Sequence, residues 1–154
     1  MEVFISTAKD IDTLVFLRLD YLEKLGNVID EPTKESMTKD LKKYFATAIQ
    51  EDRFIGVWTQ EGDKITSMGF LCMNSYPANR HFTNGITGTI LNVLTYEEYR
   101  RKGHGKKVIE TIVAEAKKRD ATAVDVWSTK EGEVLYESVG FKIPPHLTAM
   151  RILI

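Results

Sequence analysis

Apolar positions in the first third of the chain recur with a helical period. Residues 3–6 form a short strand-like run. Asp10 or Asp12 then caps a predicted helix with Ile11, Leu14, Val15, Leu22 and Leu25 on one stripe, ending near Gly26. Pro32 marks a turn, and Met37, Leu41, Phe45, Ala48 and Ile49 give a second amphipathic helix. The pattern then becomes that of strands. Residues 53–58 and 64–73 are β-rich runs joined by Glu61, Gly62 and Asp63, which predicts a hairpin. A polar loop follows at residues 75–85, and Ile86–Thr95 predicts a long strand. Val108, Ile109, Ile112, Val113 and Ala116 mark one face of a helix closing on Lys117, Lys118 and Arg119, cations at the negative end of its dipole.

Residues 122–127 predict another strand. Ser128 and Glu131 have capping-box spacing, so a short helix should start there and run through Tyr136 to Val139 before Gly140. Residues 141–143 and 147–154 complete the pattern as strands, the last of them bent or split. The order β-α-α-β-β-β-α-β-α-β predicts a mixed sheet with helices on both faces. The unit from Ile86 to Trp127 should be a right-handed parallel crossover.

Composition narrows the possible functions. A chain of 154 residues, 43% hydrophobic and 28% charged, can fold as one soluble domain around a proper core. Its formal net charge of −1 argues against nucleic acid as partner. One cysteine, Cys72, permits no internal disulfide and suits a reducing cytoplasm. The run MEVFISTAKD is too polar for a secretory leader, and no apolar stretch is long enough to span a membrane. His81, His104 and His146 lack metal-motif spacing, so no metal is expected. No Gly-x-Ser-x-Gly elbow supports a serine hydrolase.

The chemistry concentrates between the long strand and the helix after it. Gly103 and Gly105 sit where unpaired helix amides and the helix dipole favour an anion, and glycine lets a phosphate approach closely. Arg101, Lys102, Lys106 and Lys107 add charge around the same point. A dinucleotide fingerprint would need glycine where Val108 stands, and a Walker loop would need Ser or Thr where Lys107 stands. The loop alone thus indicates a phosphate cradle or simply a solvated, basic helix start.

Two runs decide between these. Val93-Leu94-Thr95 followed by Tyr99-Arg100-Arg101-Lys102-Gly103-His104-Gly105 resembles the acetyl-CoA motif of the GNAT N-acetyltransferase superfamily. Leu135-Tyr136-Glu137-Ser138-Val139-Gly140-Phe141 resembles its second signature, Leu-Tyr-x-x-x-Gly-Phe, and the element order also matches. The resemblance implies one N-acetyltransferase domain over residues 1–154. Its α/β sheet would be mixed but mostly antiparallel, with six to seven strands and one splayed parallel pair.

It further implies that pantetheine pairs with Val93, Leu94 and Thr95, and that the pyrophosphate rests on Arg101, Gly103, His104, Gly105 and Lys106. Lys102 would reach the adenosine phosphates, and Thr129 stands where an Asn commonly contacts coenzyme A. Tyr136 takes the general-acid position: a departing thiolate near pKa ~8.5 needs a proton, and an aligned phenol near ~10 can give it. Thr89 occupies a position often held by a carboxylate base, which leaves the base unassigned. Asn92, polar in an apolar strand, would orient acceptor, water or the splayed backbone, or bond a neighbouring loop. The acceptor, a small-molecule or peptide amine, is expected near Tyr21, Asp30, Glu31, Tyr76 and Arg80. The expected activity is transfer of acetyl from acetyl-CoA to a primary amine by direct attack. The alternative is a non-catalytic acyl-CoA sensor that keeps the fold. An exposed terminal strand would favour a homodimer.

Overall fold

The structure, a computed structural model, describes residues 1–146 and 148–154. The strands are β1 (Glu2–Ile5), β2 (Phe54–Glu61), β3 (Lys64–Ser75), β4 (Ile86–Thr95) and β5 (Ala123–Val126), and the helices α1 (Ile11–Lys24), α2 (Glu31–Gln50), α3 (His104–Lys118) and α4 (Lys130–Glu137). The strands lie in chain order in one sheet, antiparallel except for the parallel β4–β5 pair.

Both faces of the sheet are covered, which is why β2 and β3 read as nearly continuous apolar runs. Phe54, Trp58, Met68 and Phe70 point to α1 and α2, where Leu14, Leu17, Phe45 and Ala48 meet them. Ile55, Val57, Leu71 and Ile90 point the other way, onto Val108, Ile109 and Ile112 of α3 and Tyr136 of α4. The α3 stripe is the one its sequence spacing predicts.

Several expectations need correction. Five strands form among the described residues, not six or seven. Residues 141–143 are not a strand: Pro144 and Pro145 follow at once and remove two backbone donors. Phe141 instead packs edge-on against the Tyr136 ring, 5.6 Å between centroids. Residues 148–154 are irregular, and Met150, Ile152, Leu153 and Ile154 are almost fully exposed, so β-propensity there has met no partner strand. Leu147 lies outside the described residues. Pro32 does not mark a turn but occupies the first turn of α2, where its missing N–H costs nothing. Asp10 does not cap α1 but closes a capping box with Thr7. The cap of α4 is Thr129, one residue later than Ser128, and it accepts from the Gly132 N–H at 3.3 Å.

Asp30 is the N-cap of α2, accepting from the Thr33 N–H at 2.8 Å, and that bond holds its carboxyl below the usual 3.8. A depressed folded pKa means the carboxylate stabilises above the unfolded value, and that stabilisation is lost as pH falls through the folded one. Asp30→Ala should therefore lower Tm at neutral pH, with the deficit shrinking below about pH 3.8. A Tm difference independent of pH would remove the charge from this account.

Candidate functional site

Strands β4 and β5 pair only as far as Ile90 and Val126. Beyond that point β4 continues to Thr95 while the chain after β5 turns away into α4. A cleft of about 670 Å³ opens between them. The parting starts at a bulge, where Asn92 and Val93 of β4 face Gly69 alone of β3. Asn92 adopts a left-handed φ of 60°, a conformation Asn tolerates better than most side chains. Its side chain, 2% exposed, turns to α1: Nδ2 donates to the Leu17 carbonyl at 3.3 Å, and Oδ1 accepts from Arg18 Nη1 at 2.9 Å. The polar residue in the apolar strand thus ties the splayed backbone to a helix rather than to a loop.

The basic loop forms one end of the cleft. Arg101 (φ 59°) and Gly103 (φ 87°) are both left-handed, and α3 starts at His104 with no side chain capping its amides. Successive amides in such a turn form an anion-binding nest, reinforced here by the helix dipole. Gly105 is required by space: a Cβ there would lie 2.7 Å from Thr95 Oγ1 and 3.4 Å from Leu135 Cδ2. Thr95 cannot easily yield, because its hydroxyl bonds Ser67 Oγ at 2.8 Å. The His104 ring is buried and points inward, Nδ1 2.7 Å from Thr66 Oγ1 and Nε2 3.3 Å from Glu61, with Tyr99 packed edge-on. It anchors the loop to the β2–β3 hairpin, and His104 does not belong to the cleft lining.

Tyr136 stands on the opposite wall, on α4, with 8% exposure and no hydrogen-bond partner among the described residues. Burial first, and the nearby Tyr21 phenol second, raise its hydroxyl pKa to about 12. It is therefore a neutral, protonated donor throughout the physiological range.

Of the residues singled out from sequence, the cleft gathers Tyr21, Asn92, Val93, Leu94, Thr95, Arg100, Arg101, Gly103, Gly105, Lys106, Thr129 and Tyr136. Lys102 does not line it; its amino group lies over the Tyr99 ring at 5.7 Å. Asp30, Glu31, Tyr76 and Thr89 also lie outside its lining. Thr89 faces Asp125 and Cys72 in the sheet, and its hydroxyl accepts from Asn74 Nδ2 at 2.7 Å. The cleft adds Trp127, 76% exposed, which no motif marked, and Glu131, which the sequence marked only by its capping-box spacing. Among the described residues no cluster of His, Cys, Asp or Glu gathers as a metal site. No helix among them is long and apolar enough to cross a membrane.

Residues 50–143 match the family described as Acetyltransferase (GNAT) domain. The chain belongs to this GNAT acetyltransferase family. It is 30% identical over 93 residues to the uncharacterized N-acetyltransferase YitH of Bacillus subtilis, a match spanning 60% of this chain but only 28% of that protein. Solved structures of the same fold include a predicted acetyltransferase of Clostridium acetobutylicum with acetyl-CoA (TM-score 0.82, 21% identity, 97% of this chain and 95% of that one). Another is a GCN5-related N-acetyltransferase of Ralstonia eutropha (TM-score 0.75, 18% identity, 97% of each chain). A third is glucosamine-6-phosphate N-acetyltransferase of Arabidopsis thaliana (TM-score 0.71, 20% identity, 98% and 99%).

Proposed function

We propose that this chain transfers an acetyl group from acetyl-CoA to a primary amine by direct attack in a ternary complex. One observation carries the reading: a buried, protonated phenol and an anion-binding nest share one cleft between parted strands. The nest suits a pyrophosphate, because its amides are unclaimed and Gly105 leaves no Cβ in the way. Arg101, Gly103, His104, Gly105 and Lys106 would hold that group through backbone amides. The open backbone of Val93, Leu94 and Thr95 would hold the pantetheine amides, and Thr129 borders the same wall.

Acetyl-CoA supplies an activated acyl thioester and a thiol leaving group. Tyr136 Oη holds the proton that the sulfur needs as the carbon–sulfur bond breaks. Tyr136 is 8% exposed, and the desolvation that raises its pKa would also raise the proton affinity of a thiolate beside it, so the two groups approach a match. Thr89, bonded to Asn74, cannot serve as base; the amine's own proton leaves through solvent at the open side of the cleft.

Purified protein with acetyl-CoA and a panel of amines should release free thiol and give N-acetylated product by mass spectrometry. Intersecting initial-rate lines are expected for the ternary complex, whereas parallel lines would indicate an acyl-enzyme and overturn direct attack. Tight acetyl-CoA binding without thiol release to any amine would instead support the non-catalytic sensor, the reading that the absence of a carboxylate at Thr89 favours.

A further inference from the structure

We infer that the acceptor amine carries an anionic group, a carboxylate or a phosphate, which Arg18 binds. This rests on the acyl-transfer reading of the cleft. Arg18 is half-buried on α1, behind the cleft lining, and its guanidinium meets two residues that do belong to that lining, Asn92 and Tyr21. One Nη1–H bond goes to Asn92 Oδ1 at 2.9 Å, and the guanidinium carbon lies 5.9 Å from the Tyr21 ring centre. Among the described residues no carboxylate lies within ion-pair distance of Arg18, although Lys34, Lys42, Lys106, Lys118 and Arg119 all have such a partner. Asp20, two residues along, is engaged by the Tyr96 hydroxyl at 2.6 Å. A guanidinium has five donors arranged to grip a carboxylate or phosphate, and here most of them have no partner among the described residues.

The holding group is itself built for the task. Asn92 is buried, left-handed and fixed to the Leu17 carbonyl, so its Oδ1 presents one orientation to Arg18. Tyr21, beside Arg18, lines the same cleft as Tyr136. An acceptor with its anion on Arg18 and its amine toward Tyr136 would lie along Tyr21. Asn92 and Tyr21 are positioning residues in this arrangement.

The test compares amines of related skeleton: 4-aminobutyrate, phosphoethanolamine, butylamine and putrescine. Each is assayed for turnover with acetyl-CoA and, by calorimetry, for binding to the protein saturated with coenzyme A. The anionic amines should be favoured over butylamine by at least about ten-fold in kcat/KM or affinity, with putrescine the poorest. The ratio of the two anionic arms separates carboxylate from phosphate. Arg18→Gln should abolish the preference and Arg18→Lys should keep part of it, with acetyl-CoA affinity unchanged in both as the check on folding. A preference for butylamine or putrescine, or an Arg18→Gln effect equal on all four, overturns the inference and leaves acyl transfer intact. Arg18-dependent binding of the anionic amines without any thiol release would uphold the inference and remove the enzymatic reading instead.

Discussion

Gly105→Val is expected to weaken acetyl-CoA binding by at least about 100-fold, a change of about 2.8 kcal/mol, in a protein that still folds. The glycine has no room for a side chain: even a Cβ would sit 2.7 Å from Thr95 Oγ1. Relief requires Thr95 to rotate and break its bond to Ser67, or the first turn of α3 to lift from β4. Valine's further methyl groups, with Leu135 Cδ2 3.4 Å from the Cβ position, make the second movement the expected one, and it displaces the proposed phosphate-binding amides from the strand that would hold pantetheine. The overall fold should survive, because the α3 stripe of Val108, Ile109 and Ile112 begins a turn later and stays packed on the sheet. Calorimetric titration with acetyl-CoA, alongside circular dichroism, measures both. Gly105→Ala should be milder, and adding Thr95→Ala to it should restore part of the affinity by removing the obstructing oxygen. Binding by Gly105→Val within about three-fold of the native protein would show that the nest is not where the phosphates rest.

Tyr136→Phe should lower kcat by about 10²–10⁴-fold, the range for loss of a positioned general acid. Acetyl-CoA affinity should change little, since the ring and its packing on Phe141 are kept. Stability should also hold, because the hydroxyl makes no hydrogen bond among the described residues that the substitution could remove. The pH profile gives an independent check. With its pKa at about 12, the phenol stays protonated across the working range. The rising limb should therefore follow deprotonation of the acceptor amine, with no falling limb assignable to Tyr136 below about pH 11. An unchanged kcat in Tyr136→Phe would remove it from the chemistry.

The features legible in the sequence are those set by local spacing. The α3 stripe, the β2–β3 hairpin and the two glycines flanking His104 follow from short-range pattern, and each lies where that pattern puts it. Asn92 was visible as an anomaly in an apolar run, but its partners lie on α1, more than seventy positions earlier, and only the assembled sheet brings them together. Arg18 left a fainter sign. It falls within the helical stripe of Ile11, Leu14, Val15 and Leu22, where an apolar residue would be expected. A charge at such a position signals either a snorkelling side chain or a site, and periodicity alone does not distinguish them. The His104 ring read as part of a basic loop, although its surroundings are Thr66 and Glu61, supplied by the distant hairpin. The chain's end misled in the opposite direction: apolar, β-prone residues predict a strand, but a strand exists only with a neighbour to bond.

The short pairing of β4 with β5 has one more consequence. Everything proposed to grip the donor through phosphate belongs to the β4–α3 side, whereas Tyr136 rides on α4, beyond four residue pairs of parallel sheet. Grip and proton source thus flank a seam that no strand pairing closes beyond Ile90 and Val126, although side chains of α3 and α4 meet beneath it. On the proposed reading, a coenzyme A molecule lying along that seam supplies the missing stitches, bonding one bank by its amides and touching the other by its sulfur. The donor would then be a structural splint as well as a reagent, drawing the acid into alignment when coenzyme A is bound.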